Sequence, residues 1–170
     1  MDLVWLDVAK CKPNSYNPNV MNKEKFDALC DFLKTHSAEE LDPIWVRNDG
    51  VGSFEIIDGE HRWKAAREVG WKRLKGFITA LDVNSSKALN VRKNRERGRL
   101  DVFKLGKLMS EDRDKGLTCD EINTKYGYIS QGGARASEYI QIYKNKDLIL
   151  ANVPTGTKLL YIPGFCDSNH

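Results

Sequence analysis

The 170-residue sequence has no apolar run near the roughly 18 residues that a membrane-spanning helix needs. Residues 1–12 carry Asp2 and Asp7 and lack the basic start and apolar stretch of a secretory signal. The four cysteines form no CxxC pair, and no histidine stands at zinc-ligand spacing from any of them. We therefore expect a cytoplasmic chain with reduced thiols, no zinc site and no membrane partner.

Net charge is also low, at +3, but it is unevenly distributed along the chain. Residues 1–58 carry −5, residues 59–110 carry +9 and residues 111–170 carry −1. The basic middle indicates an anionic partner, either a nucleotide phosphate or a nucleic acid. The 41% hydrophobic content is enough for a folded core and excludes an extended disordered chain.

Strand and helix patterns alternate over about the first 90 residues, which predicts an α/β (α+β) domain. Asn22 is the expected N-cap of the first helix. The expected strands cover 3–8, 43–47, 53–57 and 74–81, and the expected helices cover 23–36, 60–69 and 86–97. The Asn84-Ser85-Ser86 stretch is expected to interrupt the strand pattern before the helix over 86–97.

The next stretch is predicted to be entirely helical. A helix over 101–115 precedes Thr118 and Glu121, which have the spacing of a capping box for a short helix ending at Tyr126. Ser130 is the expected cap of a further helix over 131–143. Helix, short glycine-containing turn and helix together predict a helix-turn-helix. The predicted domains are therefore 1–90 (α/β), 91–146 (helical) and 147–170 (an irregular tail).

The strongest candidate site is Asp58-Gly59-Glu60-His61-Arg62, where a strand pattern changes to a helix pattern. Amide N–H groups at a helix N-terminus attract anions, and a basic side chain there strengthens the attraction. The carboxylates of Asp58 and Glu60 could hold a metal ion or position a hydroxyl group. An ordinary strand-to-helix turn with solvated charges remains the alternative.

A second candidate is the basic stretch 92–100, with five basic residues in eight positions. It is either a solvated helix face or a phosphate cradle, in which Asn94 would bind Mg²⁺ or hydrogen-bond a phosphate. A third is the loop Asn17-Pro18-Asn19, whose backbone and side-chain amides could line a nucleotide pocket.

These three motifs together resemble the ParB/sulfiredoxin superfamily, in particular a ParB-like N-terminal domain followed by a helix-turn-helix. The family pattern is an Asn-Pro-Arg loop, a Gly-Glu-Arg-Arg-x-x-Ala-Ala box and a Glu-Asn-x-x-Arg motif. The matching stretches here are Asn17-Pro18-Asn19, Gly59-Glu60-His61-Arg62-Trp63-Lys64-Ala65-Ala66 and Lys93-Asn94-Arg95-Glu96-Arg97. The resemblance implies a small mixed sheet with helices, and then a helical subdomain.

The resemblance also implies that the chain binds CTP or another ribonucleotide with Mg²⁺, and DNA, in a partition-like or regulatory role in a plasmid, phage or chromosome. Asn94 would bind the metal. The implied phosphate-binding residues are Asn17, Gly59, Glu60, His61, Arg62, Asn94 and Arg97. Asn19, His61 and Lys93 depart from the family's arginine, arginine and glutamate, which leaves at most a weak nucleotide triphosphatase. A homodimer is possible.

DNA contacts are expected from the basic stretch and from the polar side chains of the second helix of the helix-turn-helix. The residues are Arg95, Arg99, Gln131, Arg135, Ser137, Gln141 and Lys144. Most of the affinity would come from phosphate contacts by basic side chains.

Two enzymatic alternatives remain open. The stretch Asp58-Gly59-Glu60-His61-Arg62 differs at one position from the Asp-Gly-His-His-Arg of free-serine kinases in the same superfamily, so Asp58 and Glu60 are candidate catalytic residues. A ParB-like nuclease is the second alternative. Sulfiredoxin chemistry is not expected, because Glu60 stands where those enzymes have their reactive cysteine.

Overall fold

A computed structural model of the chain describes residues 3–96, 100–128 and 136–154. Their contacts divide the chain into two compact units. The first contains residues 3–15 and 21–90, and the second contains residues 16–20 and those from 91 onward. The chain therefore passes between the units at residue 15, at residue 20 and at residue 90.

The first unit is built on a mixed five-stranded sheet. Its strands are β1 (Leu3–Asp7), β2 (Cys11–Lys12), β3 (Ile44–Asn48), β4 (Phe54–Asp58) and β5 (Arg73–Thr79). The spatial order is β1-β5-β3-β4-β2. The β1–β5 and β3–β4 pairs are antiparallel, whereas β3–β5 and β2–β4 are parallel. This mixed sheet with helices confirms the predicted fold class.

Two helices, α1 (Lys23–Thr35) and α2 (Glu60–Glu68), contribute to the core of this unit. The Asn22 side chain accepts the Lys25 N–H at 3.1 Å, which confirms the predicted N-cap. At Gly76 an added Cβ would overlap Leu6 Cδ1, so a glycine lets β5 pack tightly against the core. The core residues from the sheet and the two helices include Leu6, Leu33, Ile44, Val46, Ile56, Trp63, Ala66 and Leu74.

Helix α3 (Val83–Glu96) begins three residues earlier than predicted. Its start is fixed by Asp82, whose carboxylate accepts the Ser85 N–H at 2.7 Å. The Asp82 carbonyl also accepts the Ser86 N–H at 2.9 Å. The strand has ended before Asn84-Ser85-Ser86, as expected, but the predicted helix start at Ser86 was wrong, because the aspartate cap places these residues in the first turn of α3.

The second unit contains the last turns of α3 and four further described helices. These are α4 (Val102–Asp114), α5 (Cys119–Tyr126), α6 (Ala136–Lys144) and α7 (Lys146–Asn152). Asp101 caps α4, and the predicted capping box of Thr118 and Glu121 is present at α5. An added Cβ at Gly106 would overlap the Tyr139 carbonyl, so this glycine allows close packing of α4 on α6.

Buried aromatic and aliphatic residues form the core of the second unit, among them Tyr16, Val91, Leu100, Leu105, Met109, Ile122, Tyr126, Tyr139 and Ile140. A polar group lies within it. The buried Asp112 carboxylate accepts the Tyr126 hydroxyl at 2.7 Å and pairs with Lys125 Nζ at 2.6 Å. The desolvation of this carboxylate is thus offset by two donors from α5.

The region after residue 146 differs from the irregular tail that was predicted. Residues Lys146–Asn152 form α7, and the Ile149 N–H donates to the Asn145 carbonyl at 2.9 Å. No proline or glycine lies between Lys146 and Pro154, so helical hydrogen bonding can continue up to that point. The predicted cap Ser130 lies outside the described residues. None of the described helices combines the length and apolar character needed to cross a membrane.

Candidate functional site

The turn from β4 into α2 is made by Gly59. Its φ of +93° lies in the left-handed region, and an added Cβ would lie 2.6 Å from Ile44 Cγ2. The Gly59 carbonyl accepts the Trp63 N–H at 3.0 Å and so forms the first turn of α2. The first amide N–H groups of a helix have no acceptor within the helix. This turn can therefore present N–H donors and the positive end of the helix dipole to an anion.

Arg62 is fixed at this turn by three acceptors. One terminal nitrogen donates to the Asp42 and Pro43 carbonyls at 2.9 and 3.2 Å. The other is 3.2 Å from Asp58 Oδ2, and the Asp58 side chain is only 4% exposed. Sequence reasoning selected Arg62 and Asp58 separately and missed their pairing, although their four-residue spacing was an available signal.

The polar side chains Glu60, His61 and Lys64 of the box are half-buried. Glu60 Oε1 lies 2.5 Å from Lys64 Nζ, which gives a second pair of opposite charges four residues apart. His61 lies between Glu60 and Arg62 in the first turn of α2 and is half-buried. With Asp58 paired to Arg62 and Glu60 to Lys64, the four charges are balanced.

Two asparagines that sequence reasoning did not select support the end of β4. Asn14 Nδ2 donates to the Ile56 carbonyl at 2.6 Å, and Asn90 Nδ2 donates to the Ile57 carbonyl at 2.5 Å. Asn90 is buried, on the first-unit part of α3. These amides satisfy carbonyls immediately before Asp58 and so hold the strand end that precedes the turn.

In the second unit, the structure brings together two residues predicted from separate motifs. Asn94 Nδ2 donates to Asn17 Oδ1 at 3.2 Å, and the Asn19 N–H donates to the same oxygen at 3.0 Å. The Pro18 carbonyl accepts the Asp101 N–H at 2.9 Å. Asn94 is 2% exposed, and Asn17 is half-buried. The first loop is thus fastened to α3 and to the start of α4.

Arg95, predicted to contact DNA, makes contacts at the end of α5. Its guanidinium donates to the Gly127 carbonyl and lies 4.9 Å from the centre of the Tyr128 ring. Arg92 is similar, donating to the Lys125 and Thr124 carbonyls at 3.0 and 2.8 Å. Sequence reasoning did not predict these contacts, because the acceptors are backbone groups more than thirty residues away.

The other predicted DNA contacts fall into two groups. Ser137, Gln141 and Lys144 are exposed on α6, at a spacing that places them on one face, whereas Ala136, Tyr139 and Ile140 are buried. The second group consists of Arg99, Gln131 and Arg135, which lie outside the described residues. The predicted phosphate contact Arg97 also lies outside them.

Within residues 3–96, 100–128 and 136–154, no group of three or more His, Cys, Asp or Glu is placed to hold a metal ion. Asn94 Nδ2 donates to the side-chain oxygen of Asn17, whereas Mg²⁺ prefers carboxylate oxygens and water. The side-chain amide of Asn94 therefore fits hydrogen bonding to a ligand better than a Mg²⁺ site made by protein alone.

The mixed sheet and its helices define an α+β domain, with the start of α2 and the fixed Arg62 at its strand-to-helix turn. Residues 2–95 match the ParB N-terminal domain family, and the chain belongs to that family. One relative, a nucleoid occlusion protein of Geobacillus kaustophilus, is 36% identical over 89 residues. That match covers 52% of this chain and 31% of the relative, so the chain spans about a third of the relative's length.

Two solved structures share the fold. The truncated chromosome-partitioning protein ParB of Caulobacter crescentus complexed with CTP-γ-S has a TM-score of 0.51 at 21% identity. That comparison covers 91% of this chain and 81% of the other. The same protein complexed to the centromeric parS site has a TM-score of 0.50 at 22% identity, covering 89% and 73%.

Proposed function

We propose that this chain is a ParB-like, nucleotide-responsive DNA-binding protein with a partition-like or regulatory role. The observation that carries the proposal is the Gly59 turn, where the start of α2 and the fixed guanidinium of Arg62 meet. The Caulobacter crescentus neighbour complexed with CTP-γ-S supports a CTP-type nucleotide as the ligand. Membership of the ParB N-terminal domain family supports the same assignment.

Phosphate oxygens would be bound by the amide N–H groups that follow Gly59 and by Arg62. Because the acidic and basic side chains of the box are paired, the backbone donors and the helix dipole carry much of the attraction. The family pattern adds Glu60 and His61 to this set. It separately predicts phosphate contacts by Asn17, Asn94 and Arg97, which belong to the second unit. We expect any Mg²⁺ to be held largely by the nucleotide phosphates, with Asn94 as its predicted protein ligand.

A thermal-shift panel with CTP, ATP and ADP, each with and without Mg²⁺, tests nucleotide binding. We expect CTP to raise the melting temperature of the wild type and to lose this effect in Arg62→Ala. Arg62 also fastens the Asp42 and Pro43 carbonyls, so the ligand-induced shift of each variant is compared with its own ligand-free value.

Glu55→Gln is the matched control for Arg62→Ala. It breaks the half-buried Arg47–Glu55 ion pair in the same unit, away from the Gly59 turn, and should keep the CTP-induced shift. A full CTP shift in Arg62→Ala would contradict the proposed site. The absence of any nucleotide-induced shift in the wild type would contradict nucleotide binding.

DNA would be bound by the exposed face of α6 and by basic residues before α4. The proposed contacts are Arg99, Gln131, Arg135, Ser137, Gln141 and Lys144, whereas the predicted contact Arg95 is engaged by the Gly127 carbonyl. The neighbour complexed to parS supports DNA as the partner. Titration of a labelled mixed-sequence duplex over a series of KCl concentrations should give a steep salt dependence. Lys144→Ala should reduce the slope of log K against log salt by about 0.9 if Lys144 contacts one phosphate.

The kinase and nuclease alternatives remain predictions with direct assays. A free-serine kinase would need Asp58 or Glu60 to act on substrate, yet Asp58 is 4% exposed and ion-paired. Phosphoserine formed from serine and ATP or ADP would favour the kinase over the proposed function. Cleavage of the duplex in the same titration would favour the nuclease. Light scattering with and without CTP would test the predicted homodimer.

A further inference from the structure

The C-terminal end of α5 is closed by a left-handed glycine. Gly127 has a φ of +77°, and its N–H donates to the Thr124 carbonyl at 3.2 Å. The Tyr128 N–H donates to the Asn123 carbonyl at 2.8 Å. The last carbonyls of a helix carry the negative end of the dipole and need donors from elsewhere.

Two arginines from the last turns of α3 supply these donors. Arg92 donates through Nε to Lys125 and through a terminal nitrogen to Thr124, so its planar fork spans two successive carbonyls. Arg95 donates to the Gly127 carbonyl and stacks on Tyr128. All of these residues belong to the second unit, and each arginine places its positive charge at the helix end that favours a cation.

The same end of α5 also holds the described start of α6. Asn123 Oδ1 accepts the Ala136 N–H at 2.8 Å, while its backbone carbonyl accepts Tyr128. The exposed Ser137, Gln141 and Lys144 follow on α6. The structure thus joins α3, the end of α5 and the start of α6 through consecutive hydrogen bonds.

We propose that Arg92 and Arg95 are positioning residues for DNA binding, which fix the end of α5 and, through Asn123, the start of α6. This inference rests on the proposed DNA-binding function. It replaces the predicted phosphate contact of Arg95 with a contact inside the protein. Arg92, for which the sequence predicted no role of its own, likewise makes its contacts inside the protein.

Arginine-to-lysine variants separate the two roles, because lysine keeps the charge but loses the planar fork of donors. A phosphate contact is largely preserved by lysine, whereas bonds to two adjacent carbonyls are not. We expect Arg92→Lys to weaken binding of a labelled mixed-sequence duplex by about five-fold, the size of one lost hydrogen-bonded contact. We expect Arg92→Gln to weaken it by a similar factor, with the salt slope unchanged in both.

Asn123→Ala is the second variant, since it removes the bond to α6 without altering any basic residue. It should weaken duplex binding at unchanged salt slope. Amide hydrogen exchange provides a readout without DNA. The Tyr128 and Ala136 amides should exchange faster in Arg92→Lys, Arg95→Lys and Asn123→Ala than in wild type, with each variant first checked for cooperative thermal unfolding.

The inference is overturned if Arg92→Lys and Arg95→Lys bind the duplex like wild type while Arg92→Gln and Arg95→Gln each lower the salt slope by about 0.9, as lost phosphate contacts would. It is also overturned if exchange at Tyr128 and Ala136 is unchanged in both lysine variants. A wild-type chain that fails to bind the duplex contradicts the proposed function instead, and the exchange data then decide the role of the arginines independently.

Discussion

The side-chain amide of Asn94 donates to the side-chain oxygen of Asn17 at 3.2 Å, across 77 residues of sequence. The oxygen that accepts this bond also accepts the Asn19 N–H at 3.0 Å. Asn94 is almost fully buried, so the bond lies in surroundings with little water to replace it. One carboxamide oxygen therefore organises the first loop and ties it to α3 within the second unit.

We predict that Asn17→Ala and Asn94→Ala are energetically coupled. Each should lower the free energy of unfolding by about 1–3 kcal/mol, because each leaves a partner without its hydrogen bond. The double variant should lose less than the sum of the two, with a coupling of about 0.5 kcal/mol or more. Urea unfolding of the four proteins measures this cycle.

The control for this cycle is Asn145→Ala, which removes an exposed side-chain bond to the Gln141 carbonyl in the same unit. Its effect should add to that of Asn94→Ala without coupling. Strict additivity of Asn17→Ala and Asn94→Ala would contradict the direct bond between the two.

Gly59→Ala should destabilise the chain by about 2–4 kcal/mol, through both a strained backbone and a clash. The φ of Gly59 is +93°, and the new Cβ would lie 2.6 Å from Ile44 Cγ2. Gly70→Ala is the matched control, because Gly70 has a φ of +83° but no atom within 4 Å of an added Cβ. It should cost only about 1 kcal/mol from backbone strain. Equal losses in chemical denaturation would contradict the tight packing at Gly59.

Tyr126→Phe should destabilise the chain by about 1–3 kcal/mol at pH 7, because the buried Asp112 loses a donor. Burial, and then the hydrogen bond and charge of Asp112, raise the pKa of the Tyr126 phenol far above its ordinary value. The folded chain therefore keeps this proton where the unfolded chain loses it. The stabilisation is complete below about pH 10 and declines as the pH rises further.

Urea unfolding of wild type and Tyr126→Phe between neutral and alkaline pH measures this effect. The difference in the free energy of unfolding between the two proteins should narrow above about pH 10, since only the wild type has a titrating phenol at residue 126. Tyr143→Phe, at a half-buried tyrosine of the same unit, should lower the free energy of unfolding less than Tyr126→Phe at pH 7. A constant gap for Tyr126→Phe would contradict a raised pKa.

Cys11 should react slowly with thiol reagents. Burial, and then the charge of Asp7, raise the pKa of its thiol to about 11 from 9.0. At mildly alkaline pH the thiolate is then roughly a hundredfold rarer than for an unperturbed cysteine, and the side chain is only 5% exposed. Alkylation followed by peptide mass spectrometry should show Cys119, which is half-buried, labelled well before Cys11. Equal labelling rates for Cys11 and Cys119 would contradict the burial and the raised pKa of Cys11.

Much of the first unit could be predicted because its signals are local. Asn22 caps α1, and Gly59 ends β4 and starts α2, as the residue types indicate. The start of α3 was predicted too late because the serines after Asp82 suit both a break and a capped first turn. The late part of the chain, 146–152, lacked a strong amphipathic pattern and was not recognised as helical.

The candidate site was predicted in its residue types but not in its bonding. Asp58 and Arg62 were selected individually, and their ion pair depends on how β4 turns into α2. Arg92 and Arg95 bind carbonyls of α5, and a backbone carbonyl leaves no trace in residue identity. The supporting amides of Asn14 and Asn90 were missed for the same reason.

The passage of the chain between its two units determines how it can be dissected. Tyr16 belongs to the buried core of the second unit, although the residues on either side of 16–20 belong to the first. A fragment ending at residue 90 would carry Tyr16 without the core that covers it, and a fragment starting at residue 91 would lack it. Neither cut yields an intact autonomous piece, so gene fragments for this protein should retain both units or replace Tyr16 with a polar residue.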